Sequence, residues 1–306
     1  MRARTPLPRS PRAPRNTYAL YLVPGALAFL AVVVVPFAMN VYYSFTSWQG
    51  VGSPTWTGLD NYRKLVKDSQ FWESFRHSLA MVLAMAVIPT ALGLVVAAAL
   101  FDFVAKHYGS RLASVLRACF YLPQVLPVTV AGIVWSWILA PGDGSVNELL
   151  KAVGLGSLRQ DWLGDPKFAL YSVMAVMVWV QLGFPVVIFM AGLQRVDPAL
   201  HEAAELDGAS WWRRFWHVTL PQLRPEISVV MLWCTIAALK VFGAVYVLTK
   251  GGPADATNVP SYFSFTTFFE KTQVGYGSAI ATVMTLLILA LAMVGLRFQT
   301  RAEESQ

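Results

Sequence analysis

Long apolar runs alternate with shorter polar stretches along the whole chain. The apolar runs lie at about 19–45, 79–101, 118–140, 168–192, 227–249 and 278–296. Most reach the roughly 20 residues that a helix needs to cross a bilayer. They are apolar all round, so a water-soluble fold would have to swallow six such helices in one core. The pattern predicts an all-α, polytopic membrane protein with six transmembrane helices. Pro24, Pro36, Pro89, Pro123, Pro127 and Pro185 fall within or near the ends of these runs. Proline is tolerated in membrane helices because neighbouring groups satisfy the freed carbonyl. Kinks at these positions suit helices that shape a pathway.

The polar stretches set the orientation. Arg2, Arg4, Arg9, Arg12 and Arg15 precede the first run. Lys106, Arg111 and Arg117, then Arg195, Arg213, Arg214 and Arg224, then Arg297 and Arg301, fall on the same side of the membrane. The opposite loops carry fewer basic residues, so the excess predicts both termini in the cytoplasm. The basic start and Ala26-Leu27-Ala28 mimic a secretory signal, but the apolar run continues to Val35 without a polar break. It reads as an uncleaved anchor. The tail to Asn16, rich in proline and arginine, reads as disordered. Trp48, Trp56, Phe71, Trp72 and Trp162 flank the runs on the outer side and read as interfacial anchors.

Composition agrees. Of 306 residues, 56% are hydrophobic and only 13% are charged, against about 25% charged in a soluble domain. The net charge of +7 is spread over loops and tail, so nucleic acid is not an expected partner. Cys119 and Cys234 both sit in apolar runs and read as small core residues.

One polar stretch exceeds what a connection needs. Residues 193–225 read LQRVDPALHEAAELDGASWWRRFWHVTLPQLRP. Asp197 suits a helix N-cap and Pro198 the first helical position. Ala199 to Asp207 favours a helix, and Gly208 suits a left-handed stop. Ser210 would cap a second helix, Trp211 to Leu220, ended by Pro221. Ala203 and Ala204 leave a low-relief face where another surface could approach. On spacing alone, a loop folded back on its own bundle accounts for the pattern equally well. Arg213 and Arg214 suit lipid phosphates or an acidic partner.

Enzymatic signatures are absent. No Gly-Lys dipeptide occurs, so there is no phosphate-binding GxxxxGK[ST] loop. The four histidines form no HExxH pair, and there is no GxSxG elbow. An ion-coupled secondary transporter would place carboxylates at the membrane midplane. None falls inside the predicted spans, and Lys240 is the one charged residue clearly within them. It can snorkel outward, pair with a carbonyl, or face an aqueous cavity and contact hydroxyls or a phosphate.

Glu202-Ala203-Ala204, Asp207-Gly208-Ala209, Phe215, Leu220-Pro221 and Pro225 resemble the EAA loop of permease subunits of binding-protein-dependent ABC importers. Phe71-Trp72-Glu73-Ser74-Phe75, Leu122-Pro123 through Pro127, Trp135-Ser136-Trp137 and Gly144-Ser145-Val146-Asn147 are similar to the sugar branch. So are Gly183-Phe184-Pro185 and the stretch from Tyr246 to Pro253. The resemblance covers roughly 17–300 and falls on the MalF/UgpA-like side of the permease pair.

The resemblance implies an ABC importer type I permease fold. The chain divides into a basic tail (1–16), a first membrane helix with its outer loop (17–71), the permease domain (72–300) and a short tail (301–306). Glu202, Ala203, Ala204, Asp207, Gly208 and Ala209 become the residues that dock on a cytoplasmic ATPase. The spans flanking the loop become the cavity walls, with Trp179, Gln181, Gly183, Phe184, Thr235, Lys240, Phe242 and Tyr246 as candidate substrate contacts. Aromatic faces there would stack on a pyranose ring. Implied partners are a second permease subunit, two ATPase subunits and an extracytoplasmic solute-binding protein, which would meet outer loops 141–167 and 250–277. ATP and magnesium would be held by the ATPases, and no cofactor by this chain. The implied cargo is a di- or oligosaccharide, with glycerol phosphate as the alternative, moved across the cytoplasmic membrane.

Overall fold

A computed structural model describes residues 15–304. The expectation of a disordered tail to Asn16 lies almost wholly outside them. Among the described residues the fold is helical, with no strand and a single bridge between Thr46 and Trp56.

Among the described residues four helices are long and apolar enough to span a membrane: α1 (Tyr21–Ser44), a helix at Ser69–Tyr108, one at Ala169–Leu193, and one starting at Val274. The first is followed by α2 (Asp60–Lys67) and then α3 (Ser69–Tyr108). At 1.5 Å per residue, the 40 residues of α3 make about 60 Å, twice the ~30 Å hydrocarbon core. It therefore carries Asp102 and Lys106 beyond the predicted span end in the same helix.

Six spans are expected, and the described residues give four, or five if the bent pair that follows is one span. The third run is a bent pair, α4 (Ser110–Val125) and α5 (Val128–Ile138), meeting at 96°. Leu126 is held extended (φ −66°, ψ 136°) because it precedes Pro127. After α6 (Ser145–Ala152) and α7 (Ala169–Leu193), the fifth run also breaks. It divides into α10 (Arg224–Leu239) and α11 (Gly243–Leu248), with α8 (Pro198–Leu206) and α9 (211–222) of the central loop before it. Lys240, Val241 and Phe242 form the break. Neither half alone is long enough to span. The chain then forms α12 (260–270) and the final helix, α13 (Val274–Glu304). The last helix continues through most of the segment expected as a tail.

Three prolines leave a common signature. Three of the five widened π turns among the described residues run over Leu30–Val34, Leu83–Val87 and Phe215–Thr219. Each ends two residues before a proline: Pro36, Pro89 and Pro221. A proline lacks the N–H and pushes away the carbonyl one turn back. A wider turn re-pairs the neighbouring amides: Val35, Ile88 and Leu220 donate to Leu30, Leu83 and Phe215. The helices continue where a break was possible.

The two ends of the bundle are assembled from different segments. At the end opposite the central loop, residues 45–77 and 250–277 lock together. Tyr276 Oη donates to Asp68, Lys64 Nζ donates to Gln273 Oε1 at 3.0 Å, and Gln70 Nε2 donates to Asp255 Oδ2 at 2.9 Å. Asp68 Oδ1 also caps α3 by accepting from Gln70 N. Two aromatic residues expected as interfacial anchors serve packing here. Phe71 is buried with Leu65, Phe263 and Tyr276. Trp162 packs on the main core and donates to Asn147 Oδ1 at 2.9 Å. Trp56 is exposed, as an anchor requires. Cys234 is buried as expected, but Cys119 faces outward from α4. The apolar stretch of α1 has no residue buried within the subunit.

Candidate functional site

The central loop folds as a helix, a turn and a second helix. α8 (Pro198–Leu206) begins where Asp197 Oδ1 accepts from Ala199 N at 3.0 Å, the predicted cap. Gly208 ends it with φ +71°, and a Cβ there would meet nothing within 4 Å. The residue is required for its backbone angle, since left-handed conformations cost most L-residues about 1–2 kcal/mol. α9 (211–222) follows. It differs from expectation in two ways. Ser210 makes no side-chain cap, and the helix passes through Pro221, which the π turn before it accommodates.

Phe215 anchors α9. It is buried among Phe189, Leu193 and Leu223, with Trp211 stacked on it at 5.4 Å. Burying a phenylalanine contributes roughly 1.5–3 kcal/mol. Trp212 and Trp216 face outward. Glu202, Ala203, Asp207 and Gly208 are all exposed, and Ala204 and Ala209 half-buried. The expected docking residues thus form one outward-facing end of the subunit. Glu202 and Glu205 share a cavity of about 290 Å³ with Asp102 and Lys106 at the end of α3. Arg195 pairs with Glu226 at the base of the loop.

The expected substrate contacts divide into two groups. On α7, Gln181 is buried, its amide donating to Cys234 Sγ at 3.2 Å. Gly183 lies against the backbone of α4: a Cβ there would come within 2.5 Å of Tyr121 Cα. Trp179 meets Trp135 edge to face at 5.5 Å, and Phe184 lies 6.1 Å from Trp233. None of these four lines the groove described next, and neither does Thr235 on α10.

The second group gathers at the break in the fifth run. Phe242 stacks on Tyr246 at 5.4 Å and meets Phe265 edge to face at 5.1 Å. Tyr262 lies 6.1 Å from Phe242. Two cavities adjoin this aromatic cluster. One, of about 280 Å³, is lined by Lys240, Ser261, Ser264 and Thr285 among others. The other, of about 440 Å³, is lined by Asn40, Phe242, Ser261, Ser264 and Phe265 among others. They share Ser261, Ser264 and Ala281, so they form one groove between α10–α11 and α12–α13.

Sequence reasoning placed 250–277 in an outer loop and missed Asn40, Ser261, Ser264, Phe265 and Thr285. The signal was a dense run of aromatics and hydroxyls, SYFSFTTFF at 261–269. Such a run is unusual for a solvated connection. Ser261 Oγ donates to the Val241 carbonyl, which the helix break frees. The broken backbone thus obtains a partner from the element that returns to it, as non-helical backbone at membrane depth requires. Among the described residues no group of His, Cys, Asp and Glu is placed to hold a metal.

Comparison with known proteins places this geometry among membrane transport components. Residues 103–304 match the family described as binding-protein-dependent transport system inner membrane component. The chain is 35% identical over 286 residues to "Probable ABC transporter permease protein YurN" of Bacillus subtilis (strain 168), covering 93% of this chain and 96% of that one. It is 32% identical to the diacetylchitobiose uptake system permease protein NgcF of Streptomyces coelicolor, covering 91% of this chain and 81% of that one. In fold, it superposes on a chain of a bacterial ABC transporter involved in import of the acidic polysaccharide alginate. The TM-score is 0.78 at 21% identity, over 94% of this chain and 96% of that one.

Proposed function

This chain belongs to the family of binding-protein-dependent transport system inner membrane components, a family of ABC transporter permeases, and on that premise we propose that it is the permease subunit of an ATP-driven sugar importer. It is a transport component embedded in the membrane by its apolar helices. The cargo is a sugar of di- or oligosaccharide size, a reading supported by its similarity to a diacetylchitobiose uptake permease.

The observation that carries the mechanism is the exposed helix–turn–helix at 193–225, anchored by Phe215 and turned at Gly208. In our reading both termini and this loop are cytoplasmic, as the distribution of Lys and Arg favours. Glu202, Ala203, Ala204, Asp207, Gly208 and Ala209 form the surface that an ATPase subunit meets. The alanines permit close approach, and the carboxylates accept from basic groups. Two ATPase subunits hold ATP and magnesium, and a second permease subunit completes the pathway. An extracytoplasmic binding protein delivers the sugar to the outer loops 141–167 and 250–277. Closure of the ATPases moves the docked loop, and the packed core passes the motion to α7 and α10, which flank it. No bond is made or broken in this chain.

Gly208→Trp tests this reading. The variant inserts in the membrane, and ATP-driven uptake into proteoliposomes falls by at least about tenfold while ATP hydrolysis continues. Wild-type uptake by Gly208→Trp would sink the docking assignment.

A further inference from the structure

We propose that the groove at Lys240 selects a sugar carrying a fixed negative charge, a carboxylate, sulfonate or phosphate; the inference rests on the sugar-import reading and narrows it. Lys240 sits in the helix break, exposed on the subunit. Among the described residues its ammonium has neither a hydrogen-bond nor an ion-pair partner. The 16 residues of α10 place it about 24 Å from the start of that helix, still within the depth of a ~30 Å hydrocarbon core. An ammonium at that depth is stable only against water, a counter-ion or a polar partner.

The groove around it is one-sided in its chemistry. No carboxylate lines either cavity. Each side-chain hydroxyl lining them has already donated its proton to a backbone carbonyl. Ser261 donates to Val241, Ser264 to Gly277 at 2.9 Å, and Thr285 to Ala281 at 2.8 Å. Asn40 spends its amide protons on Thr282 Oγ1 at 3.0 Å and on the Ser278 carbonyl. What remains is a set of oxygen acceptors and one cationic donor.

A ligand that fits therefore donates from several hydroxyls and accepts through one anionic group near Lys240. Phe242 and Phe265, at the wall of the same groove, offer faces to the apolar side of a ring. A neutral sugar would satisfy the acceptors but offer the ammonium only hydroxyl oxygens, whereas an anionic group forms the stronger charge-assisted bond.

The test uses the complete transporter with its binding protein. The sugar released from the denatured binding protein is identified by mass spectrometry, which separates carboxylate, sulfonate and phosphate. That same molecule, radiolabelled, is the uptake probe in proteoliposomes. An anionic sugar is expected. Lys240→Gln is expected to lower its uptake by at least about tenfold, the scale of one charged hydrogen bond, while Lys240→Arg retains it. A neutral sugar, or undiminished uptake by Lys240→Gln, overturns the inference and leaves the importer reading intact. Loss of the second permease subunit from purified Lys240→Gln also overturns it, by placing the ammonium at the subunit interface. A released molecule that is not a sugar overturns the sugar-import reading itself.

Discussion

Glu205 and Arg214 face each other across the Gly208 turn, with Arg214 Nη1 3.4 Å from Glu205 Oε1. The pair bridges the two helices of the central loop, but Glu205 is largely exposed. Exposed ion pairs contribute about 0–1 kcal/mol. A double-mutant cycle with Glu205→Ala and Arg214→Ala should give a coupling energy in that range by thermal unfolding. A coupling well above it would mean that the pair, and not Phe215 and the turn, holds the loop in shape.

Gly183 gives the sharper stability prediction. Its Cα packs so closely on α4 that a Cβ would overlap the backbone at Phe120 and Tyr121. Backbone cannot step aside as a side chain can. Gly183→Ala should destabilise the subunit by about 1–3 kcal/mol, the usual cost of overpacking, read as a lower Tm in detergent. An unchanged Tm would show that α4 and α7 separate freely.

At the opposite end, Asp68 does two things and Tyr276 one. Asp68 caps α3 through Gln70 N and accepts from Tyr276 Oη. Asp68→Ala loses both the cap, typically about 1 kcal/mol, and the phenol bond. Tyr276→Phe loses only the bond, about 0.5–1.5 kcal/mol. The drop in Tm should therefore be larger for Asp68→Ala. Equal drops would remove the cap from the account.

Orientation is tested by thiol labelling in whole cells. In a Cys119→Ala, Cys234→Ala background, Val51→Cys and Leu206→Cys offer two strongly exposed positions at opposite ends. A membrane-impermeant reagent should label Val51→Cys at once and Leu206→Cys only after the cells are opened. The reverse pattern would invert the topology and remove the central loop from the cytoplasm.

Much of this molecule was legible in local sequence. Asp197 and Gly208 bound α8 as their side-chain and backbone chemistry predicts, since capping and left-handed turns depend on few neighbours. Pro221 was misread as a stop because a π turn upstream absorbs it, and that turn depends on Phe215 being held in the core. Phe71 and Trp162 were misread as membrane anchors because an aromatic beside an apolar run has the same signature whether it meets headgroups or packs on a neighbouring element.

The sequence by itself determined that the chain is a helical membrane protein with an unusual polar loop. Apolar length and glycine, proline and aspartate chemistry are local properties. Only the tertiary structure decided that the fifth run breaks at Lys240 and that 260–270 returns to meet the break. Hydropathy records how apolar a segment is, and both halves of that run are apolar. Whether a helix can afford to open there depends on Ser261, twenty residues away, reaching the freed carbonyl of Val241. The same return places hydroxyls, aromatic rings and the Lys240 ammonium along a single groove, a juxtaposition that residue order does not contain.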